Sequence, residues 1–131
     1  RPTYQVGRTG DVTSALALIS GTVLTTETAA CWVAVTPDNH FSYVANTGSG
    51  TVSGYSVAAG GQITLLNSDG RTGITGGAPA DETISPDGQY LYVRVGGTNN
   101  IVGFKINANG SLTALGSPTS LPAGTAGLAS R

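Results

Sequence analysis

Three charged residues stand close together in a chain where charge is scarce: Asp81, Glu82 and Arg94. A carboxylate can take a proton from water, and a guanidinium can steady the oxyanion formed when that water attacks a carbonyl. The same groups can instead form a partly buried ion pair that replaces apolar packing and does no chemistry. The segment Ser85-Pro86-Asp87-Gly88-Gln89 reads as a turn, so residues on its two sides pair with numbers summing to about 175. Asp81 then faces Arg94, Glu82 faces Val93, and an Asp81–Arg94 ion pair is expected.

Other chemistry is thinly represented. His40 is the single histidine and sits in a Pro-Asp turn, which favours a solvated turn residue. Cys31 is the lone cysteine, cannot form an internal disulfide, and is expected to pack as a small apolar group. Asn109-Gly110-Ser111 is a formal glycosylation sequon, but a tight hairpin calls for Asn-Gly there anyway. The sequence holds no Gly-x-Ser-x-Gly elbow, phosphate loop, Cys-x-x-Cys or His-x-x-x-His, so neither a metal nor a cofactor is expected.

These groups must be held by strands. Residues 30–66 align with 79–115 without a gap, with ten identities that include Pro37/Pro86, Asp38/Asp87, Tyr43/Tyr92, Gly54/Gly103 and Gly61/Gly110. Each copy reads as a four-stranded antiparallel meander. In the first, the strands are A (Cys31–Thr36), B (Phe41–Asn46), C (Thr51–Val57) and D (Gln62–Leu66). Proline presets the A–B turn, aspartate bonds the backbone ahead of it, and Asn or Gly takes the left-handed position. Tyr4, Val6, Gly10, Val12 and Thr13 match Tyr55, Val57, Gly61, Ile63 and Thr64. Residues 1–29 are therefore expected to end a preceding blade with strands C and D. Residues 30–78 and 79–116 are two complete blades, and 117–131 is a C-terminal segment whose Ala126–Ala129 could open a further strand A.

Length suits one domain, and glycine recurs between β-branched and aromatic runs, which argues against disorder. A net charge of -1 with one lysine, Lys105, leaves no basic footprint for nucleic acid. No run is long and apolar enough for a membrane span. A start at Arg1-Pro2-Thr3 reads as a processed product or a piece of a longer chain.

Cys31–Asp38 followed by Tyr43-Val44-Ala45-Asn46, repeated as Ile84–Val93, resembles the inner-strand pair of lactonase-type propellers and the related YVTN-repeat propellers. The tail Leu121–Leu128 is similar to the C-terminus of bacterial members. The resemblance implies an all-β fold: a partial propeller of four-stranded antiparallel blades, matching the C-terminal portion of a seven-bladed ring. Arg94-Val95 departs from the family pattern, where an apolar residue and asparagine are expected.

By fold analogy a ligand site lies at the mouth of the central channel, where strand A starts and the D–A and B–C loops gather. Asn46, Asp69, Arg71 and Asn99 fall on that rim. The resemblance implies lactone hydrolysis, with Glu82 or Asp81 as base and Arg94 or Arg71 as oxyanion stabiliser. A non-catalytic binding or scaffold propeller module is the alternative. Val33, Val35, Tyr43, Ile84, Leu91, Tyr92 and Val93 are expected in the core between blades. Expected partners are further blades of the same parent chain or further copies of this chain, with a small-molecule ligand at the rim. A secreted or cell-surface location is favoured over a cytoplasmic one.

Overall fold

Turn chemistry and strand alternation build the architecture. The computed structural model describes residues 3–6 and 16–130, all strands and loops. Strands β1 (Thr3–Val6) and β2 (Leu16–Ser20) pair antiparallel as a two-stranded sheet. Blade one is the meander β3 (Ala30–Val35), β4 (Phe41–Asn46), β5 (Thr51–Val57) and β6 (Ile63–Leu65). Blade two repeats it with β8 (Pro79–Ile84), β9 (Tyr90–Val95), β10 (Asn100–Ile106) and β11 (Leu112–Ala114). The outer strand is in two pieces in each blade: β7 (Gly73–Ile74) also pairs with β5, and β12 (Thr119–Ser120) with β10. Sequence pattern alone places one continuous strand D.

The two A–B turns are chemical copies. Asp38 accepts from the Thr36 hydroxyl and the His40 amide, while Asp87 accepts from Ser85 and Gln89. The left-handed position is Asn39 in one turn (φ 59) and Gly88 in the other (φ 72). These bonds hold both aspartates below the usual carboxylate range, and they account for the repeat of Asp38 and Asp87 without any role at a site.

Every strand has two faces, and the blades stack unlike faces. One face of blade one carries Phe41, Tyr43 and Val52 against Leu91, Val93, Val95, Val102 and Phe104 of blade two, forming the core. The Tyr43 hydroxyl crosses between blades to donate to the Gly110 carbonyl at 2.8 Å. Tyr43, Leu91 and Val93 are buried as expected, whereas Tyr92 and Ile84 are half-buried. Val33 and Val35 depart from expectation, at 60% and 50% exposed. They lie on the opposite face of blade one, which blade two does not reach. Cys31 is likewise exposed on that face, not packed. Residues 126–129 form no strand; instead the Ser130 hydroxyl donates to the Ile84 carbonyl and lies 3.0 Å from Thr83 Oγ1.

Candidate functional site

Strand β8 begins at Pro79, and its pairing with β9 slips by one residue between Pro79 and Asp81. The slip recurs in blade one between Ala30 and Trp32, so it belongs to the shared frame. Such an irregularity re-aims the side chains after it. Beyond it the register is as the turn dictates: Asp81 opposite Arg94, Glu82 opposite Val93.

The ion pair expected from that register does not form. The pairs within bonding distance among the described residues are His40–Asp38 and Arg71–Glu27. Cα register fixes backbones, but a long guanidinium stem can carry its charge elsewhere. Arg94 is half-buried, and its Nη1 lies beside Gly96 at the B–C turn, 3.4 Å from where a Cβ would sit. Asp81 is 7% exposed, and its side chain, like that of Arg94, makes no hydrogen bond or ion pair among the described residues.

Glu82 points to the other face of β8, between the blades. It is 5% exposed, and neither carboxyl oxygen has a hydrogen-bond partner. Burial drives its pKa up to about 8; the Ala34 and Ala45 amides temper the shift without reaching bonding geometry, and the Asp81 charge adds to it. The group is therefore largely neutral at pH 7.

A second polar cluster lies at the end of blade one where the loops meet. Asn46 is fully buried and donates from Nδ2 to Thr51 at 3.1 Å and to Ser53 at 2.9 Å. Thr51 passes a bond to Glu27 at 3.2 Å, and Ser53 passes one to the Gly70 carbonyl at 2.6 Å. Arg71 Nε meets Glu27 at 2.8 Å, with the Glu27 side chain 5% exposed and that of Arg71 57%. Bonds from Ser49, Arg71 and Thr51 hold the Glu27 carboxyl below its usual range. One acceptor, Asn46 Oδ1, is left unpartnered.

The seven residues singled out from sequence thus separate into three groups. Asp81 and Arg94 lie opposite each other on the inner strands, with Glu82 on the reverse face. Asn46 and Arg71 share one network through Thr51 and Glu27. Asp69 and Asn99 serve their own turns: Asp69 Oδ1 accepts the Arg71 amide, and Asn99 (φ 49) takes the left-handed place that Gly50 (φ 65) holds in blade one. Glu27 is the residue that sequence reasoning missed. It sits in a Thr-rich loop with no periodicity, and only its place before strand A, on the rim, could have drawn notice.

Comparison with known proteins agrees with this frame. The family described as "Lactonase, 7-bladed beta-propeller" matches residues 6–127. No curated protein matches the sequence. Among solved structures, a candidate 6-phosphogluconolactonase of Bacteroides fragilis is 24% identical with a TM-score of 0.72, over 85% of this chain and 32% of that one. A second such candidate, from Bacteroides uniformis, is 28% identical with a TM-score of 0.57, over 69% and 27%. The periplasmic gluconolactonase of Pseudomonas aeruginosa is 22% identical with a TM-score of 0.56, over 74% and 28%. The chain thus spans about a third or less of the length of these structures. Among the described residues no helix is long and apolar enough to cross a membrane. With its paired four-stranded meanders, stacked faces and a family match over nearly its whole length, the chain belongs to the lactonase family of seven-bladed β-propellers.

Proposed function

We propose that the chain carries part of a lactone-hydrolysing site, with Asp81 as the base and Arg94 as the oxyanion stabiliser. The observation behind this is the failed ion pair: an acid and a cation opposite each other on the inner strands, neither neutralised by the other. A carboxylate without a partner can accept a proton, and a cation without a counter-ion can meet developing negative charge. Water oxygen would attack the lactone carbonyl carbon as Asp81 takes a water proton. The tetrahedral oxyanion would collapse with cleavage of the ring C–O bond, and the proton would return to the leaving alkoxide. The product is the open hydroxy acid. Glu82, sealed between blades, has no path to substrate; it acts beside Asp81 as a neutral neighbour that spares it a second adjacent charge. Arg71, already paired with Glu27, and Asn46 would line the rim.

The substrate class is a sugar lactone, supported by the names of the Bacteroides and Pseudomonas proteins. A secreted or cell-surface place for the reaction fits the periplasmic location of the latter. The test is base uptake in a pH-stat with glucono-δ-lactone, set against spontaneous hydrolysis. Asp81→Asn and Arg94→Ala should each lower the enzymic rate by about a hundredfold. A rate equal to buffer, with no lactone binding by calorimetry, would leave the scaffold reading. That second reading is favoured by one observation: the Asn46–Thr51–Glu27–Arg71 network spends most of its bonding capacity on itself.

A further inference from the structure

The hairpin between β10 and β11 holds a reactive pair that the matching hairpin of blade one does not. Asn109-Gly110 is the one Asn-Gly step in the chain, and its equivalent in blade one is Gly60-Gly61. An asparagine before glycine is open to attack by its own main chain. The glycine nitrogen can close on the side-chain carbonyl carbon, and with no Cβ nothing hinders the approach. Every other asparagine in the chain precedes a residue with a Cβ.

The side chain is set up as the electrophile. Asn109 is exposed, and its Oδ1 accepts the Ser111 amide at 3.1 Å and the Ser111 hydroxyl at 2.7 Å. These donors fix which end of the amide is oxygen, and they are placed to hold the negative charge that gathers on Oδ1 during attack. Nδ2, the leaving group, makes no hydrogen bond among the described residues. The nucleophile is restrained, because the Gly110 amide donates to the Asn107 carbonyl at 2.8 Å. The Gly110 carbonyl in turn accepts the Tyr43 hydroxyl at 2.8 Å, which pins the same residue to blade one. Gly110 is buried, with its Cβ position 2.5 Å from the Phe41 ring and 2.8 Å from Leu66 Cδ1. A reactive step thus sits at a joint between blades, and local opening of the turn gates it.

We infer that Asn109-Gly110 is a site of self-modification, at which the main chain rearranges to isoaspartate and releases the bond between Gly110 and Tyr43. In the first step the Gly110 nitrogen bonds Asn109 Cγ and the Cγ–Nδ2 bond breaks. The amide proton leaves with Nδ2 as ammonia, and a five-membered succinimide remains. Water then opens the ring. Addition at Cγ leaves an ordinary aspartate; addition at the main-chain carbonyl of residue 109 leaves an isoaspartate, whose backbone runs through the former side chain. Water is the one co-reactant, and nothing is oxidised or reduced. Isoaspartate lengthens the chain by one carbon just before Gly110, so the Gly110 carbonyl cannot stay on Tyr43 while the glycine stays against Phe41.

The 131-residue chain and a synthetic peptide of residues 104–114 are aged in parallel in mildly alkaline buffer at body temperature. Peptide mapping by mass spectrometry follows the exchange of amide for acid at each asparagine. The folded chain should convert at Asn109 at least about tenfold faster than at any other asparagine, with isoaspartate among the products. Tyr43→Phe should speed the conversion about fivefold by freeing the Gly110 carbonyl. Asn109→Gly, which copies Gly60-Gly61 of blade one, should keep its unfolding midpoint throughout. The isoaspartate chain, separated by ion exchange, should unfold at lower urea than the unaged chain, by at least the loss that Tyr43→Phe causes. Asn109→Asp carries the charge without the extra backbone carbon and should unfold with the unaged chain. Asn109 unchanged in the folded chain while the peptide is consumed, conversion no faster than at another asparagine, a rate indifferent to Tyr43→Phe, or an isoaspartate chain as stable as the unaged one would overturn the inference.

Discussion

Blade one and blade two are built on the same frame and disagree about where to bury polarity. Their turns share hydrogen bonds, their A–B pairings slip at the same place, and their hairpins carry Gly61 and Gly110 at φ 83 and 81. In blade one the buried polar residues are Thr36 and Ser42 near the A–B turn and Asn46, Thr51 and Ser53, on β4 and β5 near the rim. Blade two has Val95, Asn100 and Val102 there, and moves its buried charge to Asp81 and Glu82 on the innermost strand. Blade one's matching positions are Trp32 and Val33. The backbone frame is thus indifferent to which strand carries the polar groups. What differs is how far they are bonded: Asn46, Thr51 and Ser53 share one network with only Asn46 Oδ1 left over, while both Glu82 carboxyl oxygens are buried without partners at some cost in stability. The proposed lactone-hydrolysing role rests on this contrast, with Asp81 and Glu82 as the acids that blade one lacks at Trp32 and Val33.

The comparison can be broken first at its shared tyrosines. Tyr43→Ala should cost about 3–5 kcal/mol, because the ring is fully buried and its hydroxyl is bonded across the blades. Tyr92→Ala, at the equivalent but half-buried place, should cost only about 1–2 kcal/mol. Urea denaturation of both variants measures the gap, and equal losses would mean the two faces are equally covered.

Glu82 gives the next largest effect. Its folded pKa, about 8, is above the ordinary value of 4.5, so the folded state holds the proton more tightly than the unfolded state. Stability should therefore fall as pH rises from about 4.5 to 8, by up to about 1.4 kcal/mol per unit, and level off above that. Glu82→Gln should remove this slope. Glu82→Val, which installs the residue blade one has at Val33, should stabilise the protein by about 1–3 kcal/mol above pH 8. Unfolding midpoints across the pH range provide the check.

The hairpin glycines sharpen the contrast further. Both have left-handed φ, so alanine is strained at either, by about 1–3 kcal/mol. At Gly110 the new Cβ would also lie 2.5 Å from the Phe41 ring, whereas at Gly61 it would meet only the tip of Ile19. Gly110→Ala should be the more damaging of the two. Arg71→Ala should have the smallest effect: it raises the Glu27 titration midpoint, seen by NMR, with little change in the unfolding midpoint.

Much of this frame could be read from residue spacing. The Pro-Asp turns fix the register, so the pairing of Asp81 with Arg94 and of Trp32 with Ala45 follows from sequence. Which face of a blade is covered does not follow, because Val33, Val35 and Val44 are as apolar as Ile84 and Val93. Covering depends on a neighbouring blade, not on the strand itself. The missed ion pair has a similar origin: register sets Cα positions, while the path of Arg94 depends on the space beside Gly96. Glu27 was invisible because its partners, Thr51 and Arg71, are 24 and 44 residues away.

The most direct test of the account is to give blade two the residues of blade one. Asp81→Trp with Arg94→Ala installs in blade two the apolar pair that Trp32 and Ala45 form in blade one. The account predicts a folded protein whose glucono-δ-lactone hydrolysis falls to the spontaneous rate. Hydrolysis undiminished in the folded double variant would contradict it, and would place the chemistry away from the inner strands of blade two.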